Sequence, residues 1–197
     1  MFHNIAERII AYAVGNNILD DDKTDEYIYG LELSLSVGLS YISVIIIGIM
    51  MGMIWQAALF LLIFVSVRRF AGGFHFASQI ACYLCTCLIC TSALLTIKYT
   101  GNGVFAWSAA MALSMSAMLM LSPIPAVEKP LDEKEKIVYG KIARIILAVI
   151  AGVYIVLCFL QNMYAAKIIC VTMITVAILA IVGKVKYRLY QRKRTAS

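Results

Sequence analysis

Six apolar runs, each close to the length of a bilayer-crossing helix, dominate this sequence. They lie at about Leu31–Met50, Gly52–Val67, Ile80–Ile97, Val104–Leu121, Ile142–Leu160 and Ala165–Val182. A hydrocarbon core about 30 Å thick takes roughly 20 helical residues. Inside it every backbone polar group must be paired within the protein, which leaves helices or closed barrels. The alternating pattern of barrel strands is missing. The runs therefore predict an all-α integral membrane protein with six transmembrane helices. Composition supports this: 62% of the residues are hydrophobic and 14% charged, against about 45–50% and roughly 25% in soluble domains.

The connections predict how the spans pair. Short turns at Met50–Met53, Tyr99–Gly103 and Gln161–Tyr164 alternate with longer polar segments at Arg68–Gln79 and Ser122–Lys141. That rhythm predicts three helical hairpins. The chain reads as one domain over 1–197: an amphipathic and acidic N-terminal segment (1–30), a helical bundle (31–182) and a basic tail (183–197). In the first segment Phe2, Ile5, Ile9, Ile10 and Ala13 recur near helical spacing, as in a helix lying along a membrane surface. No cleavable signal peptide is evident. The run Asp20-Asp21-Asp22-Lys23-Thr24-Asp25-Glu26 reads as a solvated connector, since it lacks the glycine turn and closing glutamate of a calcium loop.

The net charge of +6 is distributed unevenly. With the N-terminus inside, 15 of the 17 lysines and arginines fall on the inner face, and only Lys98 and Lys167 fall outside. The positive-inside bias therefore predicts a multi-pass protein of the cell membrane with both termini cytoplasmic. The basic residues flank lipid-embedded spans rather than forming a patch on an aqueous domain, so no nucleic-acid partner is expected. The environment to which they answer is membrane lipid.

One segment is not explained by spanning a membrane. Arg68-Arg69-Phe70-Ala71-Gly72-Gly73-Phe74-His75 lies between two apolar runs, and Cys82 follows. Ionisable residues at a membrane are expensive unless they serve a site. A cysteine with a histidine in reach is the minimal set for a thiol nucleophile and its base. In one straight helix a seven-residue step rises about 10.5 Å, too far for a thiol–imidazole hydrogen bond. Gly72 and Gly73 supply the freedom for a re-entrant or broken segment that returns His75 to Cys82. The predicted start of the third span adds backbone amides that favour a thiolate or an oxyanion, and Gln79 is a candidate side-chain donor. Arg68 and Arg69 anchor the second span or hold a carboxylate. Glu32 is a candidate partner for them, or a third group orienting His75. The cysteines Cys82, Cys85, Cys87 and Cys90 form C-x-x-C-x-C-x-x-C. Cys85 and Cys87 would point to nearly opposite sides of one helix, so a metal site is not expected. A disulfide framework is not expected either.

The arginine–glycine–histidine segment, with Cys82 following His75 after six intervening residues, resembles the signature of the accessory gene regulator B (AgrB) family. The stretch Ser122-Pro123-Ile124-Pro125-Ala126-Val127-Glu128-Lys129-Pro130-Leu131 resembles its second hallmark. The resemblance covers nearly the whole chain. It implies a membrane cysteine endopeptidase that processes the precursor of a cyclic autoinducing peptide used in quorum sensing, with Cys82 as nucleophile and His75 as base. It further implies a small precursor peptide with an acidic C-terminal region, a thiolactone or lactone product, and a homodimer. An acidic fragment would suit the basic inner face, with Arg68, Arg69 and Lys129 as candidates to hold it. Phe70 and Phe74 depart from the pattern, standing where tyrosine is common in the family. No cofactor motif is present, and thiol acyl transfer needs none. A non-catalytic peptide exporter or membrane scaffold is the alternative, although ion-coupled transport fits poorly with so few intramembrane charges.

Overall fold

The computed structural model describes residues 2–16, 18–20, 23–71, 79–101, 103–122 and 133–195. Within these, seven helices follow one another: α1 (Phe2–Gly15), α2 (Thr24–Met50), α3 (Ile54–Ala71), α4 (Gln79–Tyr99), α5 (Val104–Leu121), α6 (Glu133–Phe159) and α7 (Met163–Thr195). No strand occurs among the described residues. Five of the helices (α2, α4, α5, α6 and α7) are long and apolar enough to cross a membrane. The remaining predicted span is α3, whose last turn carries Arg68 and Arg69.

Successive helices alternate in direction. One end of the bundle therefore holds the starts of α2, α4 and α6 and the finishes of α3, α5 and α7. We refer to it as the basic end, because Arg68, Arg69, Lys184, Lys186, Arg188 and Arg192 lie there. Three helices overshoot a bilayer at this end. At about 1.5 Å per residue, the 27 residues of α2 and of α6 run about 40 Å and the 33 of α7 about 50 Å. The basic tail predicted after Val182 is thus a continuation of α7, helical through Thr195.

The hairpin prediction holds for two pairs. α2 packs on α3 and α6 on α7. The α2–α3 turn is tight: Gly52 adopts a left-handed φ of +68°, and a Cβ placed on Gly48 would stand 2.5 Å from that of Ala57. α4 and α5, although joined by a short turn, do not form a packed pair. α4 packs on α2 and α7, whereas α5 packs on α7 and α6. The physical reason is α7, which packs on α3, α4, α5 and α6. Its apolar window is 56% buried, against 17–24% for the other four spanning helices. A hydropathy pattern cannot reveal such a centre, because lipid-facing and protein-facing residues are equally apolar.

α1 differs in detail from the surface helix read in the sequence. It folds back on α2, burying Ala6 and Ile10 while Ile5, Ile9 and Tyr12 stay exposed. The predicted apolar stripe is thereby split between a protein-facing and an outward-facing side. The re-entrant segment expected at 72–78 lies outside the described residues.

The far end is closed by hydrogen bonds between connections. Lys98 Nζ donates to the Met51 carbonyl (3.3 Å), and Lys167 Nζ to the Thr100 carbonyl (2.9 Å). Gln56 Nε2 donates to the Tyr164 hydroxyl (3.1 Å), and Trp107 Nε1 to the Gly101 carbonyl (2.8 Å). Lys98 and Lys167 are the two basic residues that the charge bias left on this side. Each meets a carbonyl at or just beyond a helix C-terminus, where the helix dipole favours a cation.

Candidate functional site

Cys82 is the fourth residue of α4, inside its first turn at the basic end. Its thiol is free and half-buried. Backbone amides in a first turn lack intrahelical partners. Two contacts fix the turn. Thr86 Oγ1 donates to the Cys82 carbonyl (2.8 Å). The next residue, Tyr83, shares a 2.9 Å hydroxyl–hydroxyl hydrogen bond with Ser43 of α2. The helix carrying the thiol is thereby fastened sideways to α2.

The two arginines end α3 but face different surroundings. Arg69 is exposed, with its guanidinium 5.8 Å from the Phe70 ring centroid. Arg68 is half-buried and sits 5.4 Å from the centroid of Phe64, which is itself 1% exposed. Arg68 acts electrostatically on Tyr41 of α2 and on Cys90 of α4, and Tyr41 is in turn within reach of Cys82. A positive charge is therefore held on the side of α2 and α4 where the thiols lie. The ring of Phe70 lies 6.1 Å from that of Tyr139 and links the end of α3 to α6. Phenylalanine at this position makes the link by ring contact alone.

Glu32 stands on α2, and its Oε2 lies 3.5 Å from Nδ1 of His3 on α1. The chain's other histidine thus meets this carboxylate. His75, Gly72, Gly73 and Lys129 lie outside the described residues, as does the Gln79 side chain, although the Gln79 backbone opens α4. The structure therefore sets Arg68 near Tyr41 of α2 and Cys90 of α4, ties the residue after Cys82 to Ser43 of α2, and pairs Glu32 with His3. All six cysteines are free, with Cys90 and Cys170 buried and the others half-buried.

Sequence reasoning missed Tyr41, Ser43 and Tyr83. The only available signal was chemical. Hydroxyl groups inside apolar runs need partners in lipid, and Tyr41 and Ser43 stand together in one such run.

Helices of this length and apolarity define a multi-pass membrane protein. The family model for accessory gene regulator B matches residues 5–181, and the chain belongs to that family. Membership connects it with the processing of an autoinducing peptide from a precursor. No curated protein and no solved structure matches the chain.

Proposed function

We propose that the protein is a membrane cysteine endopeptidase, with Cys82 as nucleophile and His75 as its base, acting on a small precursor peptide with an acidic C-terminal region. The observation that carries this reading is the position of Cys82: a free, half-buried thiol in the first turn of a spanning helix, at the end of the bundle richest in positive charge.

In the proposed step the Cys82 sulfur attacks the scissile carbonyl carbon, and its proton passes to the His75 imidazole. The carbon–nitrogen bond breaks, and the imidazolium returns the proton to the leaving amine. The acidic fragment departs and a thioester remains on Cys82. A cysteine within the precursor then attacks the thioester, giving a thiolactone and restoring the Cys82 thiol; a serine would give a lactone. Thioester exchange replaces one thioester by another, so release of the fragment drives the sequence. Amides at the start of α4 would stabilise the oxyanion, and Arg68, Arg69 and Lys129 would hold the acidic region. Gln79 and the Gly72-Gly73 pair would support the site. In this reading the basic end and both termini face the cytoplasm, lipid surrounds the bundle, and the working form is a homodimer.

The test is co-expression with a candidate precursor, followed by mass spectrometry of the intact protein. An adduct on Cys82 that is absent from Cys82→Ala is expected, and its mass gives the cleavage position. Cleavage by membrane-inserted Cys82→Ala would overturn the assignment.

A further inference from the structure

Two contacts fix the levels of the helices around Cys82. Gly48 of α2 lies against Ala57 of α3, so close that a Cβ on the glycine would stand 2.5 Å from that of the alanine. The two helices run antiparallel. Ser43, five residues before Gly48, is therefore level with Leu62, five after Ala57. The 2.9 Å bond between the Ser43 and Tyr83 hydroxyls carries that level across to α4. Cys82 thus sits close to the level of Ile63, and the Arg69 backbone stands six residues, about 9 Å, nearer the basic end. Helical side chains lean towards the N-terminus of their helix, which for Tyr83 is the basic end, so the thiol lies no nearer that end than this count places it. The far end shows the same offset: Lys98, in the last turn of α4, reaches Met51 at the α2–α3 turn only with the tip of its side chain.

The heads of the two arginines part along this axis. Arg68 turns back into the bundle, with its guanidinium 5.4 Å from the ring centroid of Phe64, one residue from the level of Cys82. By the same count Tyr41 is level with Phe64, and both Arg68 and Cys82 act electrostatically on it. Arg69 stays at its own level, exposed, beside the ring of Phe70. The helices α2, α3, α7 and α4 adjoin in a ring, each packed on the next. On the far side of the Cys82 level that ring is filled: Val44, Phe60 and Cys90 are 0% exposed. Half-buried Tyr41, Arg68 and Cys82 thus form a polar layer on a sealed core, and Arg69 stands above it.

We infer that the two arginines bind two different carboxylates of the precursor: Arg68 one beside the scissile bond, and Arg69 one farther along the leaving fragment. The inference rests on the endopeptidase reading and adds the spacing that its substrate must have. An extended chain advances about 3.3 Å per residue, so a step of about 9 Å takes about three residues. The carboxylate bound by Arg69 therefore lies at least about three residues beyond the one bound by Arg68. The two contacts also differ in strength. Water screens the half-buried guanidinium less than the exposed one, so Arg68 holds its carboxylate more tightly. Both pairs use the planar fork that matches a carboxylate.

The experiment has two arms, both on the full chain in its own membranes. In the first, Cys82 is kept as the only cysteine and reacted with an anionic and a cationic methanethiosulfonate of similar size. Both reagents need the thiolate, so the ratio of their rates cancels the thiolate fraction and measures the potential at the sulfur. Arg68→Met should lower the anionic-to-cationic ratio about fivefold or more, and Arg69→Met by less than about twofold. Equal falls, or a larger fall for Arg69→Met, would overturn the difference in depth. In the second arm the acidic residues of the leaving fragment are replaced singly by their amides, and KM is measured with each arginine variant. Arg68→Met should raise KM about tenfold for the parent precursor and no further for the one lacking the carboxylate beside the scissile bond. Arg69→Met should fail to add only to loss of a carboxylate at least three residues farther on. Coupling of both arginines to one carboxylate would overturn the inference and leave the endopeptidase reading standing. Absence of cleavage by the parent chain would overturn that reading and the carboxylate assignments together, whereas the reagent ratio would still report the depth of Arg68.

Discussion

The two ends of the bundle are built differently. At the far end the connections are stitched together by lysine, glutamine and tryptophan hydrogen bonds onto carbonyls and a hydroxyl. α7 is enclosed there, and Lys167 is 2% exposed. At the basic end the described links are mostly aromatic or arise from the arginines, and α7 shows a bare face. The contrast teaches that, among the described residues, the hydrogen bonds that join connections gather at the end away from the proposed nucleophile.

The largest expected effect comes from the basic end. Cys82→Ala and His75→Ala should each reduce precursor cleavage by roughly 10³-fold or more, with the protein still inserted in the membrane. Quantitative mass spectrometry of the released fragment measures this. The far end should behave in the opposite way. Lys167→Met removes the donor to the Thr100 carbonyl, and a typical intramolecular hydrogen bond contributes about 0.5–1.5 kcal/mol. Thermal unfolding in detergent should show the loss, and cleavage per folded molecule should stay unchanged. A catalytic defect without a stability defect would break the comparison.

Gly48 tests the closed end through packing. Gly48→Leu forces α2 away from α3, because even its Cβ would stand 2.5 Å from that of Ala57. Such overpacking costs about 1–3 kcal/mol. The pair Gly48→Ala with Ala57→Gly should recover most of the stability lost by Gly48→Ala alone, again read by thermal unfolding.

Five of the six expected spans were legible in the sequence, because hydropathy reports transfer into lipid and charge marks its edge. It was a poor guide to where the helices end. α2 begins at Thr24 rather than Leu31, α6 at Glu133 rather than Ile142, and α7 continues to Thr195 rather than stopping near Val182. A helix does not stop where the bilayer stops, and its aqueous turns are polar. The centrality of α7 was hidden for a related reason: burial against protein and burial against lipid select the same residue types. The pairing of Glu32 with His3 joins two helices whose relative placement no local pattern specifies. Cys82, by contrast, stood out as a candidate because its type and its distance from a histidine carry chemistry.

The smallest expected effect sharpens the comparison most, because it asks what the directional fastening beside Cys82 contributes. Tyr83→Phe removes only the hydroxyl that bonds Ser43, and an average interhelical hydrogen bond in a membrane contributes about 0.6 kcal/mol. Global stability should therefore move little. Since Tyr83 adjoins Cys82, a loosened first turn should lower kcat severalfold and leave KM in place, the signature of a group that positions the nucleophile rather than binds substrate. Ser43→Ala should reproduce the effect. Because the two hydroxyls form one bond, the double variant should be no worse than either single variant. Additive losses would show that each residue acts through separate packing, and the fastening of α4 to α2 would then have no part in holding the thiol.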